Sequence, residues 1–424
     1  MKLSIITIGS RGDVQPYVAL GCGLQKAGFD VSIVTYEYYR QFIEAYGLKL
    51  KPLQGDPKEI LGSENGRNWV RSQGNPVKFV KNFIALTKAR IAPMMKDAVE
   101  QLADAEIILY SDLGIVGYHV AEKYQTPLIE THLQPFGITK TFPSVGAPPW
   151  IKLGGLYNQI SHWVTEQMLW QPFRTLVNDL RRTELDLRPI PFWGPFKKIK
   201  TEGNPTLHAY SPHVLPKPSD WPRWRHVTGN WVLPPEPGWQ PDPKLVDFLN
   251  AGKPPVYVGF GSMVDEEPEK LVEMVLTAVS HTNNRIILSS GWAGFTASNL
   301  PDNAYIIQSV PHEWLLPQMA AVIHHGGAGT TAAGLRSGVP SMAAPYFADQ
   351  FFWADRIYNL GVSPKLPPRP KLTMDILTHA IQEATQNSVM KNNAARIGQL
   401  LHAEDGIETA VKIIKKFANQ HCTK

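Results

Sequence analysis

Two series of short apolar runs, each run followed by helical periodicity, constrain this chain more than any other feature, and a proline-dense stretch divides them. The first series opens with "KLSIITIGS" (2–10), a helix over 14–28 closed by Gly28, and "DVSIVTY" (30–36). A helix through 37–46, "LKLKPL" (48–53), a longer helix near 76–103, "AEIILYS" (105–111) and "PLIETHL" (127–133) follow. A long helical region, 155–183, precedes a last strand at "TLHAYS" (206–211). Residues 212–243 then hold prolines at a density that no helix or inner strand tolerates. The second series runs through "PPVYVGFGS" (254–262), "NRIILSSG" (284–291), "AYIIQSV" (304–310), "AAVIHH" (320–325) and "SMAAPY" (341–346). Strands that alternate with helices form parallel sheets covered on both faces. The expectation is an α/β chain of two similar, doubly wound domains, with ligands at the carboxyl ends of the strands and a cleft facing both. At 424 residues the chain also exceeds one ordinary core.

Composition narrows the function. The net charge is +5, but Lys and Arg are scattered, with no nucleic-acid footprint. Weak attraction to anionic lipid headgroups keeps peripheral membrane contact open. Two cysteines, Cys22 and Cys422, imply no disulfide framework, and no Cys/His cluster has zinc spacing. The opening "MKLSIITIGS" enters a strand without a cleavage pattern, and no apolar run is long enough to span a bilayer. These features predict a cytoplasmic chain.

The stretch "HHGGAGTTAAG" (324–334) carries the clearest chemistry. His325 ends a strand, Gly326, Gly327 and Gly329 form a turn, and Thr330 opens a helix. Small residues let a backbone approach an anion, and the first helical N–H groups face it. The turn by itself serves close helix–strand packing equally well. No Walker lysine is present, and the ribose-binding acid of a dinucleotide fold is missing after "SMAAPY". Other turns on the same rim decide the matter. "FADQ" supplies Asp349 and Gln350, an acid and an amide suited to sugar hydroxyls, and "GFGS" ends in Ser262. Trp292, Val310 and His312 follow two further strands as flat or apolar surfaces. Together they fit a nucleotide-diphosphate sugar.

The run "PHEWLLPQMAAVIHHGGAGTTAAGLRSGVPSMAAPYFADQFFWADRIYNLGV" resembles the donor signature of nucleotide-sugar glycosyltransferases of GT-B architecture, two Rossmann-like domains facing a central cleft. "GSRGDVQPYVALGCGLQKAGFDVSIVT" resembles the start of the same family's acceptor domain. "PLQGDP", "SPHVLPKPSDW", "VGFGSMVDEEPEK" and "EDGIETAVKIIKKF" are similar to the sterol 3-beta-glucosyltransferase branch, with glycopeptide-antibiotic glycosyltransferases the nearest competing branch. The resemblance implies an acceptor-binding domain over 1–220, a linker over 221–243, a donor-binding domain over 244–405 and a C-terminal helix, 406–424, crossing back to the first domain.

The implied activity is metal-independent, inverting transfer of glucose from UDP-glucose to a hydroxyl of a hydrophobic acceptor, a sterol first, by a monomer without cofactor. Terpenoid, phenolic or macrocyclic alcohols are alternatives, as is a catalytically silent nucleotide-sugar or lipid-binding protein. Asp13 matches the base position, although an aspartate there also serves as N-cap of helix 14–28. Asp112 matches its acidic partner, where two like charges would raise one pKa, and equally a helix cap. Ser10, Arg11 and Gly12 form the glycine turn of the first domain, read as a phosphate turn. Leaving-group charge falls to the N–H groups of Gly327, Ala328, Gly329 and Thr330, with Ser262 and His325. Trp292, Val310 and His312 would pack the uracil, and Asp349 and Gln350 would hold the sugar. Acceptor contacts fall to His132 and to the loop carrying Phe142 and Trp150. The apolar stripe of 155–183 is expected to be core, with an acceptor-pocket or membrane-touching element as the other reading.

Overall fold

The apolar runs become strands because β-branched and leucine side chains fill both faces of a covered sheet. The protein is described by a computed structural model, covering residues 1–72, 76–148, 150–261, 268–290 and 300–421. It divides into two compact units, Met1–Leu233 with Asp405–Lys424, and Pro234–Glu404.

Among the described residues, the first unit holds seven parallel strands: β1 (Lys2–Ile6), β2 (Asp30–Tyr36), β3 (Lys49–Leu53), β4 (Ile107–Tyr110), β5 (Leu128–His132), β6 (Thr206–His208) and β7 (Arg225–Val227). Their order is β3-β2-β1-β4-β5-β6-β7. The inner strands carry the core, with Leu3, Ile5, Ile33, Ile107, Leu109 and Ile129 inaccessible to solvent. Pro52 lies in β3, at an edge where a missing donor breaks no inner ladder. The C-terminal helix, Gly406–His421, adds Ala410, Val411, Ile414 and Phe417 to this core. It lies close against the first helix, Arg11–Lys26, where a Cβ on Gly23 would come within 2.3 Å of Ile407 Cγ2.

Among the described residues, the second unit holds β8 (Val256–Gly259), β9 (Ile286–Ser289), β10 (Ala304–Ile307), β11 (Ala321–His324) and β12 (Ser341–Ala343), parallel in the order β10-β9-β8-β11-β12. Since all strands in each sheet point one way, the loops after them gather at one edge, and that edge carries the chemistry.

Three expectations need correction. The proline-dense stretch includes β7, so the first unit extends through the start of the region read as a linker. Being an edge strand, β7 tolerates that context. The helical region 155–183 is two helices, Gly155–Trp170 and Arg174–Thr183, because Pro172 has no N–H to continue the ladder. Its stripe is also not core throughout: Trp170, Phe173 and Leu180 are buried, whereas Leu156, Ile160, Trp163, Val164 and Met168 are exposed.

Candidate active site

In the first unit, β1 leads through Gly9 into the helix that starts at Arg11. Ser10 is the N-cap, and both its N–H and its hydroxyl donate to Asp13 Oδ2, at 2.7 and 2.9 Å. Asp13 therefore sits at the third helical position and reaches back to the cap, rather than capping the helix itself. Thr7 Oγ1 donates to the Asp13 carbonyl (2.9 Å) and the Tyr39 hydroxyl donates to the Gly9 carbonyl (3.1 Å), which holds the turn from both sides. Gly9 has φ +136°, and a Cβ there would fall 2.4 Å from Asp13 Oδ2, so only glycine lets the carboxylate fold back.

This geometry corrects the reading of Ser10, Arg11 and Gly12 as a phosphate turn. The anion at this helix N-terminus is the Asp13 carboxylate, and it takes the Ser10 donors. Arg11 lies over the Phe42 ring at 4.4 Å and bonds Gln15 (3.2 Å). Asp13 itself is half-buried. Burial pushes its carboxyl up, the two Ser10 bonds pull it back, and the charge of Asp112 raises it again. Among the described residues, Oδ1 accepts no hydrogen bond.

Asp112 follows β4 and pairs with His132 on β5, Oδ1 to Nδ1. The other ring nitrogen, Nε2, lies 3.4 Å from Glu130 Oε1. Burial opposes the imidazolium charge, but Asp112 and Glu130 outweigh it, and His132 is pushed up to about 10. Glu130 is disfavoured by burial, yet His132 and Arg225 hold it down at about 2, with bonds from Tyr110 (3.0 Å) and Thr206 (3.2 Å). The arrangement is a buried cation between two carboxylates. Its neighbour on β6, His208, stacks on His132 (5.1 Å) and on Trp221 (4.5 Å).

His132 was expected to meet an acceptor hydroxyl; instead it is buried with both nitrogens engaged, and its effect on the site runs through Asp112. Phe142 is buried too, edge-on to Trp221 and His162, and anchors its loop. Trp150 on the same loop is 65% exposed. Glu130 was missed, although "IETH" places an acid and a histidine two residues apart on one face of a strand.

In the second unit, β11 carries the glycine turn. His324 is buried; its Nδ1 accepts from Gly326 N–H (3.0 Å), so its Nε2–H donates to Ser341 Oγ (2.9 Å), and this pins the start of the turn. Gly326 has φ +89°, with a would-be Cβ 3.0 Å from the Gln350 carbonyl. Gly327 caps the helix Ala328–Arg336, whose first backbone bond runs from Thr331 N–H to the Gly327 carbonyl (2.9 Å). The N–H groups of Ala328, Gly329 and Thr330 precede that bond and point out of the helix end.

His325 stands over this helix end, 3.1 Å from the Cβ position of Gly261 and 2.5 Å from that of Gly327. Its Nδ1 is buried with no hydrogen-bond partner among the described residues. Burial, with the charge of His312, holds it down at about 4, so the ring is neutral near pH 7. In the tautomer that carries its proton on Nδ1, the neutral ring adds one more donor to three outward N–H groups, a cradle for an anion.

Asp349 precedes the helix Gln350–Asn359, next to Ala348, which adopts a left-handed φ of +52°. Gln350 is buried, and its Oε1 accepts from Tyr346 N–H (2.8 Å) and Phe347 N–H (3.3 Å). That oxygen closes the turn, so any contact of Gln350 with a sugar hydroxyl falls to its amide NH2. His312 Nε2 lies 3.3 Å from the Tyr257 hydroxyl, and Val310 packs on the same small core. Ser262 and Trp292 lie outside the described residues.

Gly326→Ala is expected to cost about 1–2 kcal/mol through the left-handed backbone and to raise KM for the nucleotide sugar several-fold with acceptor KM unchanged. Steady-state kinetics with each substrate varied in turn checks this; an unchanged donor KM would remove the turn from donor binding.

Comparison with known proteins gives the family. The glycosyltransferase family 28 N-terminal domain matches residues 3–143, and the erythromycin biosynthesis protein CIII-like C-terminal domain matches residues 273–414. A sterol 3-beta-glucosyltransferase of Arabidopsis thaliana is 35% identical over 97% of this chain, which covers 67% of that protein. One from Emericella nidulans is 35% identical over 98% of this chain, which covers only 30% of its length. Among solved structures, the calicheamicin glycosyltransferase CalG4 superposes with a TM-score of 0.70 over 99% of this chain and 98% of its own, at 18% identity. Glycosyltransferase VinC, solved with dTDP, gives 0.65 over 99% and 100%, at 20% identity. At such identities the structures speak for the fold alone. With that fold and these relatives, the chain belongs to the GT-B glycosyltransferases, in the family of the sterol 3-beta-glucosyltransferases.

Proposed function

We propose that this chain transfers glucose from UDP-glucose to the hydroxyl of a sterol-like alcohol, with inversion at the anomeric carbon and without a metal, at a membrane surface. The observation that carries the reading is a carboxylate of raised pKa, fixed by Ser10 with one oxygen left open, on the same chain as a glycine-capped helix N-terminus fronted by a neutral histidine.

In the proposed step, Asp13 Oδ1 takes the proton of the acceptor hydroxyl as the oxygen attacks C1 of the glucose. The bond from C1 to the phosphate oxygen breaks, and UDP leaves with the electron pair. Its growing charge is met by the N–H groups of Ala328, Gly329 and Thr330, by His325 and by the Ser262 hydroxyl. Asp349 holds sugar hydroxyls while Gln350 keeps its turn in shape, and the uracil packs against Val310, His312 and Trp292. Asp112, held by His132, raises the Asp13 carboxyl and so strengthens it as a base.

Incubation with UDP-glucose and a mixture of sterols, terpenoids and phenols, followed by mass analysis, tests the assignment. Hexose on the sterol is expected. Hexose on phenols alone would overturn the sterol, and nucleotide binding with neither transfer nor slow hydrolysis would overturn the enzyme. Activity lost to EDTA and restored by a divalent ion would overturn the metal-free step.

A further inference from the structure

The helix Gly155–Trp170 is inside out. Apart from Trp170 at its end, its buried side is polar: Asn158 donates to the Lys140 carbonyl (2.7 Å), Ser161 accepts from Ser144 N–H (2.9 Å), and His162 meets the Phe142 carbonyl (3.1 Å). On the same side Glu166 is buried and paired with Lys200 (2.8 Å). Its outer side is apolar: Leu156, Ile160, Trp163, Val164, Met168 and Leu169 are all exposed, Leu156 at 72%. Next to it, exposed Trp193 sets its ring 5.7 Å from Trp163, and Phe192 lies under Arg174 at 4.7 Å. Single exposed leucines are ordinary; a contiguous face of this size marks an interaction surface.

Charge selects the partner. Between Glu130 and Asp179 the only acid is Glu166, which is buried and neutralised. Between Asp186 and Glu202 there is none. Exposed cations stand near in sequence: Lys152 just before this helix, and Lys197 four residues after Trp193. A second copy on a two-fold axis would set this basic rim against itself. An apolar helix face edged by tryptophan and lysine suits the headgroup boundary of a bilayer.

We infer that the outer face of Gly155–Trp170, with Trp193, Lys152 and Lys197, docks the protein on an anionic lipid surface. This rests on the proposed use of a membrane-held acceptor and names the surface that meets the membrane.

The test uses the full chain and vesicles of phosphatidylcholine with a minority of phosphatidylglycerol, read by co-sedimentation. L156Q/M168Q is expected to weaken vesicle binding at least about tenfold by loss of buried apolar area. K152E/K197E should weaken it by a similar factor, with a smaller salt dependence than the parent. All these residues are exposed, so melting temperatures should stay equal, and activity on a detergent-dispersed acceptor should be unchanged. If the unsubstituted chain binds no vesicle, the membrane reading itself falls. If it binds and both variants bind equally well, the surface lies elsewhere and only this inference falls. Loss of activity on dispersed acceptor in L156Q/M168Q would make the face an acceptor site, and a dimer abolished by that variant would make it a contact between copies; either overturns the inference.

Discussion

Replacing Asp13 with Asn is expected to lower kcat by about 10²–10⁴-fold, the usual contribution of a positioned general base, while leaving nucleotide affinity unchanged. Asn is the informative substitution because Asp13 has two duties. Its Oδ2 closes the helix cap with Ser10, and an amide oxygen can still accept those bonds. Ala would remove cap and base together, at about 0.5–2 kcal/mol of stability for the cap alone. The Asn variant should therefore melt close to the parent while turnover collapses. The pH profile adds a second readout. Burial and Asp112 raise the Asp13 carboxyl, so kcat/KM should fall on an acid limb placed above the ordinary carboxyl range. Removing Asp112 by Asp112→Asn should shift that limb to lower pH. Near-normal turnover in Asp13→Asn would take Asp13 out of the base role.

His132→Gln is expected to destabilise the first unit by about 3–5 kcal/mol, because it removes the buried cation shared by Asp112 and Glu130 and leaves Glu130 to the more distant charge of Arg225. The penalty should depend on pH. The folded pKa of His132 is raised to about 10, so its stabilisation is fully present below the unfolded value of 6.5 and is lost as pH rises through about 10. Glu130 behaves in the opposite sense: its folded value is lowered to about 2, so its stabilisation holds above 4.5 and is lost as pH falls through about 2. Buried neutral His119 and His162, held down at about 3 and about 4, withdraw stability from both proteins alike as pH falls below 6.5. The melting-temperature difference between parent and variant isolates His132. It should be largest between pH 4.5 and 6.5 and shrink towards pH 10. A difference constant across that range would show that His132 is not held as a cation.

The parts of this architecture that were readable from sequence are those with a local physical signature. A covered strand is rich in apolar and β-branched residues, so β2 appeared at its full extent, Asp30–Tyr36. β7 has no such signature: it is three residues, Arg225–Val227, pairing only at an edge. The glycine turn was legible because only glycine permits φ +89° at Gly326. Atom-level assignments were not legible. Nothing local says that the Gln350 oxygen turns inward, or that Ser10 caps while Asp13 reaches back, although Ser-x-x-Asp is a capping-box spacing. The stripe on Gly155–Trp170 was visible as a period, but a period does not say which side is covered. There the polar partners were the 140–144 backbone and Lys200, remote in the helix's own pattern.

The central claim is a single displacement by an acceptor oxygen activated at Asp13. The anomeric linkage of the sterol product tests it most directly, read by NMR from a reaction with UDP-glucose, whose glucose is α-linked. The account predicts a β-glucoside, formed by the parent and almost absent with Asp13→Asn. An α-glucoside, or free glucose with no glycoside, would contradict it.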